Sequence, residues 1–165
     1  MQFSVGDKVV HPQYGPGQIR DMVRREFVGE AKSYYVIDMP DQGLIVYVPV
    51  LTIEESGIRP AMTRAAFRQV LNTLRSGPSR LPDDYRERQA QIDAEFKTGE
   101  VLSLATVVRD LTWHKARAHL TRKDSDLLKQ VQERLAAEMA LVSGEDAAES
   151  LKLIGATMTT ALASA

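Results

Sequence analysis

Phe3-Ser-Val-Gly-Asp-Lys-Val-Val-His-Pro-Gln-Tyr-Gly-Pro-Gly-Gln-Ile19 is the stretch on which the fold turns. Its pattern predicts a short strand, Lys8 to His11, stopped by Pro12, whose missing N–H cannot serve a central ladder. A bend at Gly15-Pro16-Gly17 follows, because glycine reaches positive φ without steric cost, and a second strand runs from Gln18 to Phe27. Beyond a turn at Gly29, Ser33-Tyr-Tyr-Val-Ile-Asp38 carries the aromatic and β-branched residues that suit a pleated, half-buried surface. Pro40-Asp-Gln-Gly43 is a turn, since Pro presets φ and Gly accepts positive φ. Leu44-Ile-Val-Tyr-Val-Pro49 is a fourth strand and Gly57-Ile-Arg59 a short fifth. Strands this short, joined this tightly, describe a small antiparallel barrel or strongly curved sheet. About 60 residues enclose only a modest core, so its edges and loops suit docking better than catalysis.

From Thr63 the apolar period changes from two to about 3.6, which marks a domain boundary and gives domains 1–60 and 61–165. Thr63 can cap a helix to about Leu74 with Phe67, Val70, Leu71 and Leu74 on one face. Ser76-Gly-Pro-Ser79 breaks it. A second helix begins at Pro82 or Asp83, where Pro and acids suit a first turn, and Gly99 closes it. The third spans Glu100 to about Arg117. Thr121-Arg-Lys-Asp124 forms a capping box for a fourth, and Ser143-Gly-Glu-Asp146 repeats the device for a fifth. Together these five make a bundle, and the fold class is α+β.

The chain has 165 residues, 44% of them hydrophobic, and a net charge of −1. It contains no cysteine, which excludes disulfides, thiolate metal sites and thiol nucleophiles. No apolar run approaches the roughly 18 residues that span a bilayer, so no membrane role is expected, and the chain reads as soluble and unprocessed. Charge is unevenly spread. Arg64, Arg68, Arg75 and Arg80 lie in an acid-free run, as do Lys115, Arg117, Arg122 and Lys123. The middle of the chain is therefore where a phosphate backbone would be met.

An enzyme reading has little to stand on. Gly15-Pro-Gly17 lacks the third glycine of a dinucleotide fingerprint, and a strand follows it where a helix is needed. His114 and His119 are five apart, so they do not share a helix face as zinc ligands would. Asp83, Asp84 and Glu87 are explained by the positive end of a helix dipole, and no serine sits in a nucleophile elbow. No catalytic residue, metal, cofactor or small-molecule substrate is expected.

The opening stretch, followed by Gly29 with Tyr34-Tyr-Val-Ile-Asp38, Val46-Tyr-Val-Pro49 and Gly57-Ile-Arg59, resembles the N-terminal module of the CarD family (CarD/CdnL/TRCF) of bacterial transcription regulators. Arg80-Leu-Pro-Asp-Asp-Tyr-Arg-Glu-Arg88, Thr98-Gly99 and Ala105-Thr-Val-Val-Arg-Asp-Leu111 resemble its C-terminal helical domain. The resemblance covers nearly the whole chain and rests on the order and spacing of these motifs. It implies a Tudor/SH3-like β-barrel that docks on the RNA polymerase β subunit. It also implies a helical domain that meets promoter DNA in the minor groove, at the upstream edge of the melted bubble, and so holds the open complex without catalysis. A monomer in the bacterial cytoplasm, associated with the nucleoid, is the implied form.

On this resemblance Arg25 matches an arginine at the polymerase interface. Tyr47 stands where some members carry another arginine, which makes the contact less electrostatic; Arg24, Val48 and Pro49 are assigned beside them. Tyr85 aligns with a tryptophan that the family inserts beside the separated strands. Tyrosine can still stack, with less area and a hydroxyl. Its alternative is packing inside the bundle, because Tyr85, Gln89, Ile92 and Phe96 fall on one stripe. Arg80, Arg86 and Arg88 are assigned to phosphates, with Arg122 and Lys123. Trp113 is read as packing between helices. The competing functions are a free-standing DNA-binding repressor and a small protein–protein adaptor.

Overall fold

A computed structural model describes residues 2–165, the Phe27 side chain excepted. The chain folds as two compact units, Met1–Ala61 and Met62–Ala165. The first is an antiparallel sheet of β1 (Lys8–His11), β2 (Gly15–Phe27), β3 (Glu30–Met39), β4 (Leu44–Pro49) and β5 (Arg59–Pro60). Their order is β4-β3-β2-β1-β5, and no ladder joins the two edges among the described residues.

Pro12 and Pro49 end β1 and β4 where the sequence predicts. The first reversal comes earlier than Gly15-Pro16-Gly17, at Pro12 to Tyr14. His11 causes this, because its Nδ1 accepts the backbone N–H groups of Gln13 and Tyr14 at 3.0 and 3.2 Å. Gly15, at φ 82, then re-enters the ladder, and Gly17 pairs with Val9. Glycine is required at 17 by close approach rather than by a turn. A Cβ there would lie 2.5 Å from Met39 Sδ and 2.7 Å from the Asp38 carbonyl.

Alternation along β3 sorts the sheet's faces. Tyr35, Ile37 and Met39 point inward with Ile19, Val48 and Phe3 to form the first core. Tyr34, Val36 and Asp38 take the other face, opposite Pro49, Tyr47 and Ile45 of β4. A register shift between Ile19 and Asp21 keeps this alternation in phase across β2 and β3.

The second unit holds α1 (Arg64–Arg75), α2 (Tyr85–Lys97), α3 (Val101–Arg117), α4 (Arg122–Ser143) and α5 (Ala147–Ala163). Its core is built on α3 and α4 around Val108, Leu111, Val131, Leu135 and Met139, closed by Val70 of α1 and Ile154 of α5. Thr63 caps α1 through the Ala66 N–H, and the Thr121/Asp124 capping box opens α4. The second helix starts later than Pro82 because Asp84 is its cap, accepting the N–H groups of Arg86 and Glu87. Ser143 still belongs to α4, Gly144 terminates it in the left-handed region at φ 79, and Asp146 caps α5. Glu138, a buried acid, accepts the backbone N–H of Met62 at 2.9 Å and so fixes the first residue of the bundle.

Candidate nucleic-acid and protein interfaces

Two separate surfaces carry the residues singled out in the sequence. On the first unit, alternation puts Arg25, Tyr47 and Pro49 on the outer face of the sheet, two strands apart across β3. The Arg25 guanidinium lies 4.7 Å from the Tyr47 ring centroid, and Nη2 donates to Tyr47 Oη at 3.3 Å. A cation held over an exposed ring keeps its charge toward solvent while covering apolar area; Val36, paired with Tyr47 across the strands, is buried. Ile45 extends this face as an exposed apolar residue, while Leu44, also exposed, has the opposite parity. Arg24 has the opposite parity to Arg25 and is also exposed. Val48 does not join the surface: its side chain is buried in the core, because the period-two pattern that exposes Tyr47 must turn its neighbour inward.

On the second unit, the chain from Arg80 to Arg88 forms one end of the bundle. Tyr85 is the first residue of α2 and its ring is 48% exposed, so it is not sealed among the helices even though Ile92, two turns along, is. Its ring is partnered by Arg86, whose Nε donates to Tyr85 Oη at 3.1 Å and whose guanidinium sits 5.5 Å from the ring. Arg80 is exposed and reaches Asp83 at 3.5 Å, while Arg117 holds the other oxygen of Asp83 at 3.1 Å. The Arg117 guanidinium, through its hydrogen bond and charge, holds the Asp83 carboxyl below its ordinary range.

Arg88 is a correction to the sequence reading. It is 3% exposed, and its Nε and Nη2 donate to Asp124 Oδ2 at 3.1 and 2.7 Å, so it cannot meet a phosphate. A guanidinium desolvated this far is tolerated only with its donors matched, and Arg88 makes four hydrogen bonds. Burial pushes the Asp124 carboxyl up, but the hydrogen bonds from Arg88 and Thr121 and the Arg88 charge outweigh it and leave the group lowered. The signal for this pair was an arginine at the core position of a helix, three residues after Tyr85. Its partner lies 36 residues away, out of reach of local pattern.

This ion pair brings the start of α2 beside the start of α4, and further along Arg134 of α4 stacks on Phe96 of α2 at 5.2 Å. The two helices therefore run parallel, with both positive dipole ends at the Tyr85 end. Arg122 and Lys123 are exposed in the first turn of α4, where they line a shallow hollow with Asp93 and Asp126. Cations at the positive end of a dipole are unfavourable by about 0.3–1 kcal/mol each, an opposition that a bound anion would relieve. Trp113 is partly buried and packs against the bundle core.

Among the described residues, no cluster of three or more His, Cys, Asp or Glu could hold a metal, and no helix is long and apolar enough to cross a membrane. A hollow of about 540 Å³ is lined by Ser79, Leu81, Asp110, Trp113, His114 and Arg117, and there Asp110 accepts the backbone N–H of Ser79 at 3.0 Å.

Comparison with known proteins covers both units. Residues 3–62 match the CarD-like/TRCF RID domain family, and residues 69–155 match the CarD C-terminal domain family. The protein named "Putative transcription factor YdeB" from Bacillus subtilis (strain 168) is 31% identical over 142 residues, covering 86% of this chain and 93% of its own. The solution NMR structure of the 72-residue N-terminal domain of Myxococcus xanthus CarD shares 27% identity, with a TM-score of 0.31, over 36% of this chain and 79% of that one.

Proposed function

We propose, from the premise that the chain belongs to the CarD family of transcription regulators, that it bridges RNA polymerase and promoter DNA and holds the melted promoter open. The first unit docks on the polymerase β subunit through the outer sheet face at Arg25 and Tyr47, with Pro49 beside them. The second presents Tyr85 to the minor groove at the upstream edge of the bubble, where an aromatic wedge stacks on unpaired bases. Arg80, Arg86, Arg122 and Lys123 supply phosphate contacts that position without reading sequence. No bond is made or broken in this role.

The observation that carries the reading is the Tyr85 ring: exposed, at a helix start, next to an arginine. Weak DNA contacts suffice, because docking on polymerase raises the local concentration of the second unit at the fork. The protein stabilises the open state only by the difference between its affinities for open and closed DNA.

The test is capture of purified RNA polymerase by the full chain together with the lifetime of promoter complexes after a competitor challenge. Wild-type protein should bind polymerase and lengthen the lifetime. Arg25→Glu should lose both, since a reversed charge at a docking surface costs several kcal/mol, while leaving the bundle folded. Strong, salt-sensitive binding to duplex DNA without polymerase would favour a free-standing repressor instead.

A further inference from the structure

Three consecutive backbone carbonyls precede the α2 cap, and all three are gripped by arginines. Arg88 Nη1 donates to Pro82 O and Asp83 O at 3.1 and 3.0 Å, and Arg117 Nη2 donates to Leu81 O at 3.3 Å. Both arginines have further partners. Arg88 is fastened to Asp124, which is fully buried and fixed in turn by the Thr121 capping box, and Gln89 Nε2 adds a bond to Thr121 Oγ1 at 3.3 Å. Arg117 is fastened to Asp83 and contacts His114 Nδ1 at 3.0 Å.

Apolar packing holds only the first residue of this row: Leu81 is buried in the bundle core, but Asp83 to Glu87 are all exposed. Ile92 is the only buried apolar residue of α2, and it sits two turns from the start. A buried Arg–Asp pair is a poor route to stability, because apolar residues of similar volume at such sites are commonly neutral or stabilising. What the pair provides that a Leu could not is four directed donors in a rigid fork, two of them aimed at the chain just before Tyr85.

We infer that Arg88, Asp124 and Arg117 form a pre-organised pedestal for the Tyr85 ring: positioning residues that fix the backbone from Leu81 to Tyr85 so that the ring is already ordered when it meets its partner. This rests on the reading of Tyr85 as a wedge, which it deepens. Its effect is to move the ordering cost of the wedge out of binding and into folding. Arg88 thus serves the DNA contact without touching DNA.

The test uses full-length protein and Arg88→Lys, which keeps the charge but replaces the fork by a point donor. Arg117→Lys loosens the same carbonyl row without disturbing the buried pair, should Arg88→Lys unfold. Both variants should still capture polymerase. Each should shorten open-complex lifetime roughly tenfold, the equivalent of about 1.4 kcal/mol of ordering cost returned to binding. In the Tyr85→Ala background neither should shorten it further. Independent effects that multiply in the double variant would overturn the pedestal. A second readout is free of promoter function: time-resolved fluorescence anisotropy of Tyr85→Trp in a Trp113→Phe background should show faster local motion once Arg88→Lys is added. Unchanged motion would overturn the pedestal even if Tyr85→Ala shortens the lifetime. Faster motion with no effect of Tyr85→Ala on lifetime would keep the pedestal and overturn the wedge.

Discussion

Truncating the ring at position 85 separates folding from function more cleanly than any other change in this chain. Tyr85 is 48% exposed, sits at the first position of α2 and touches Arg86, itself exposed. Tyr85→Ala therefore removes little core, and its cost to folding should be no more than about 1 kcal/mol. Base stacking on an aromatic side chain is worth about 1–3 kcal/mol by alanine substitution, which corresponds to a roughly 5- to 150-fold loss of open-complex stability. Urea unfolding followed by circular dichroism gives the first number, and the decay of competitor-challenged promoter complexes gives the second. Tyr85→Phe should keep most of the effect and Tyr85→Trp should match or exceed it, because stacking area rather than the hydroxyl does the work. A loss of more than about 2 kcal/mol in folding would mean that the ring is a packing residue. An unchanged lifetime, with polymerase capture intact, would remove the wedge.

Gly17→Ala should strike the first unit alone. The added methyl meets the Asp38 carbonyl and the Met39 sulfur well inside contact distance, in a ladder that cannot shift without breaking pairs to both neighbours. Overpacking of this kind costs about 1–3 kcal/mol, which lowers the midpoint of a small domain by on the order of 10 °C; differential scanning calorimetry should show the bundle's transition unmoved. In the second unit, His114 is buried against Arg88 and Arg117, with Asp124 and Asp83 also facing it. Burial first, and the two guanidiniums second, hold its pKa below the ordinary 6.5. The unfolded chain thus binds the proton more readily, so bundle stability should fall as pH drops below about 6.5. His114→Gln should flatten that slope, and an unchanged slope would refute the assignment. Asp124 and Asp83, whose values are lowered, add a separate loss only as pH falls below their ordinary 3.8.

What was legible in the sequence was whatever depends on neighbours in the chain. Pro12 and Pro49 stop their strands by lacking a donor, and Thr63 and Thr121 open helices by offering one acceptor oxygen to an N–H three residues on. The stripe of α1 picks out its buried pair, Val70 and Leu74, with Phe67 and Leu71 partly buried beside them. Misreadings arose where a distant group decides. Gly17 answers to Met39, across a strand pair, and so passed for a turn residue. Pro82 and Asp83 do not begin α2 because Arg88 takes their carbonyls, and Arg88 does so only because Asp124 waits in another helix. Val48 is assigned to a docking surface by its place beside Tyr47, yet adjacent residues in a strand face opposite ways. Glu138 gave no signal at all: an acid on a charged helix reads as solvated until Met62 supplies the N–H that holds it inside.

The sheet order has a consequence for how such a module travels. β5 pairs with β1, setting Pro60 opposite Val9 and Arg59 opposite Val10, and the Ala61 N–H closes onto the Lys8 carbonyl at 2.9 Å. Entrance and exit of the domain thus share neighbouring rungs. A segment built this way can be spliced between unrelated sequences as a cassette, since joining host chain at both ends demands no long detour across its surface.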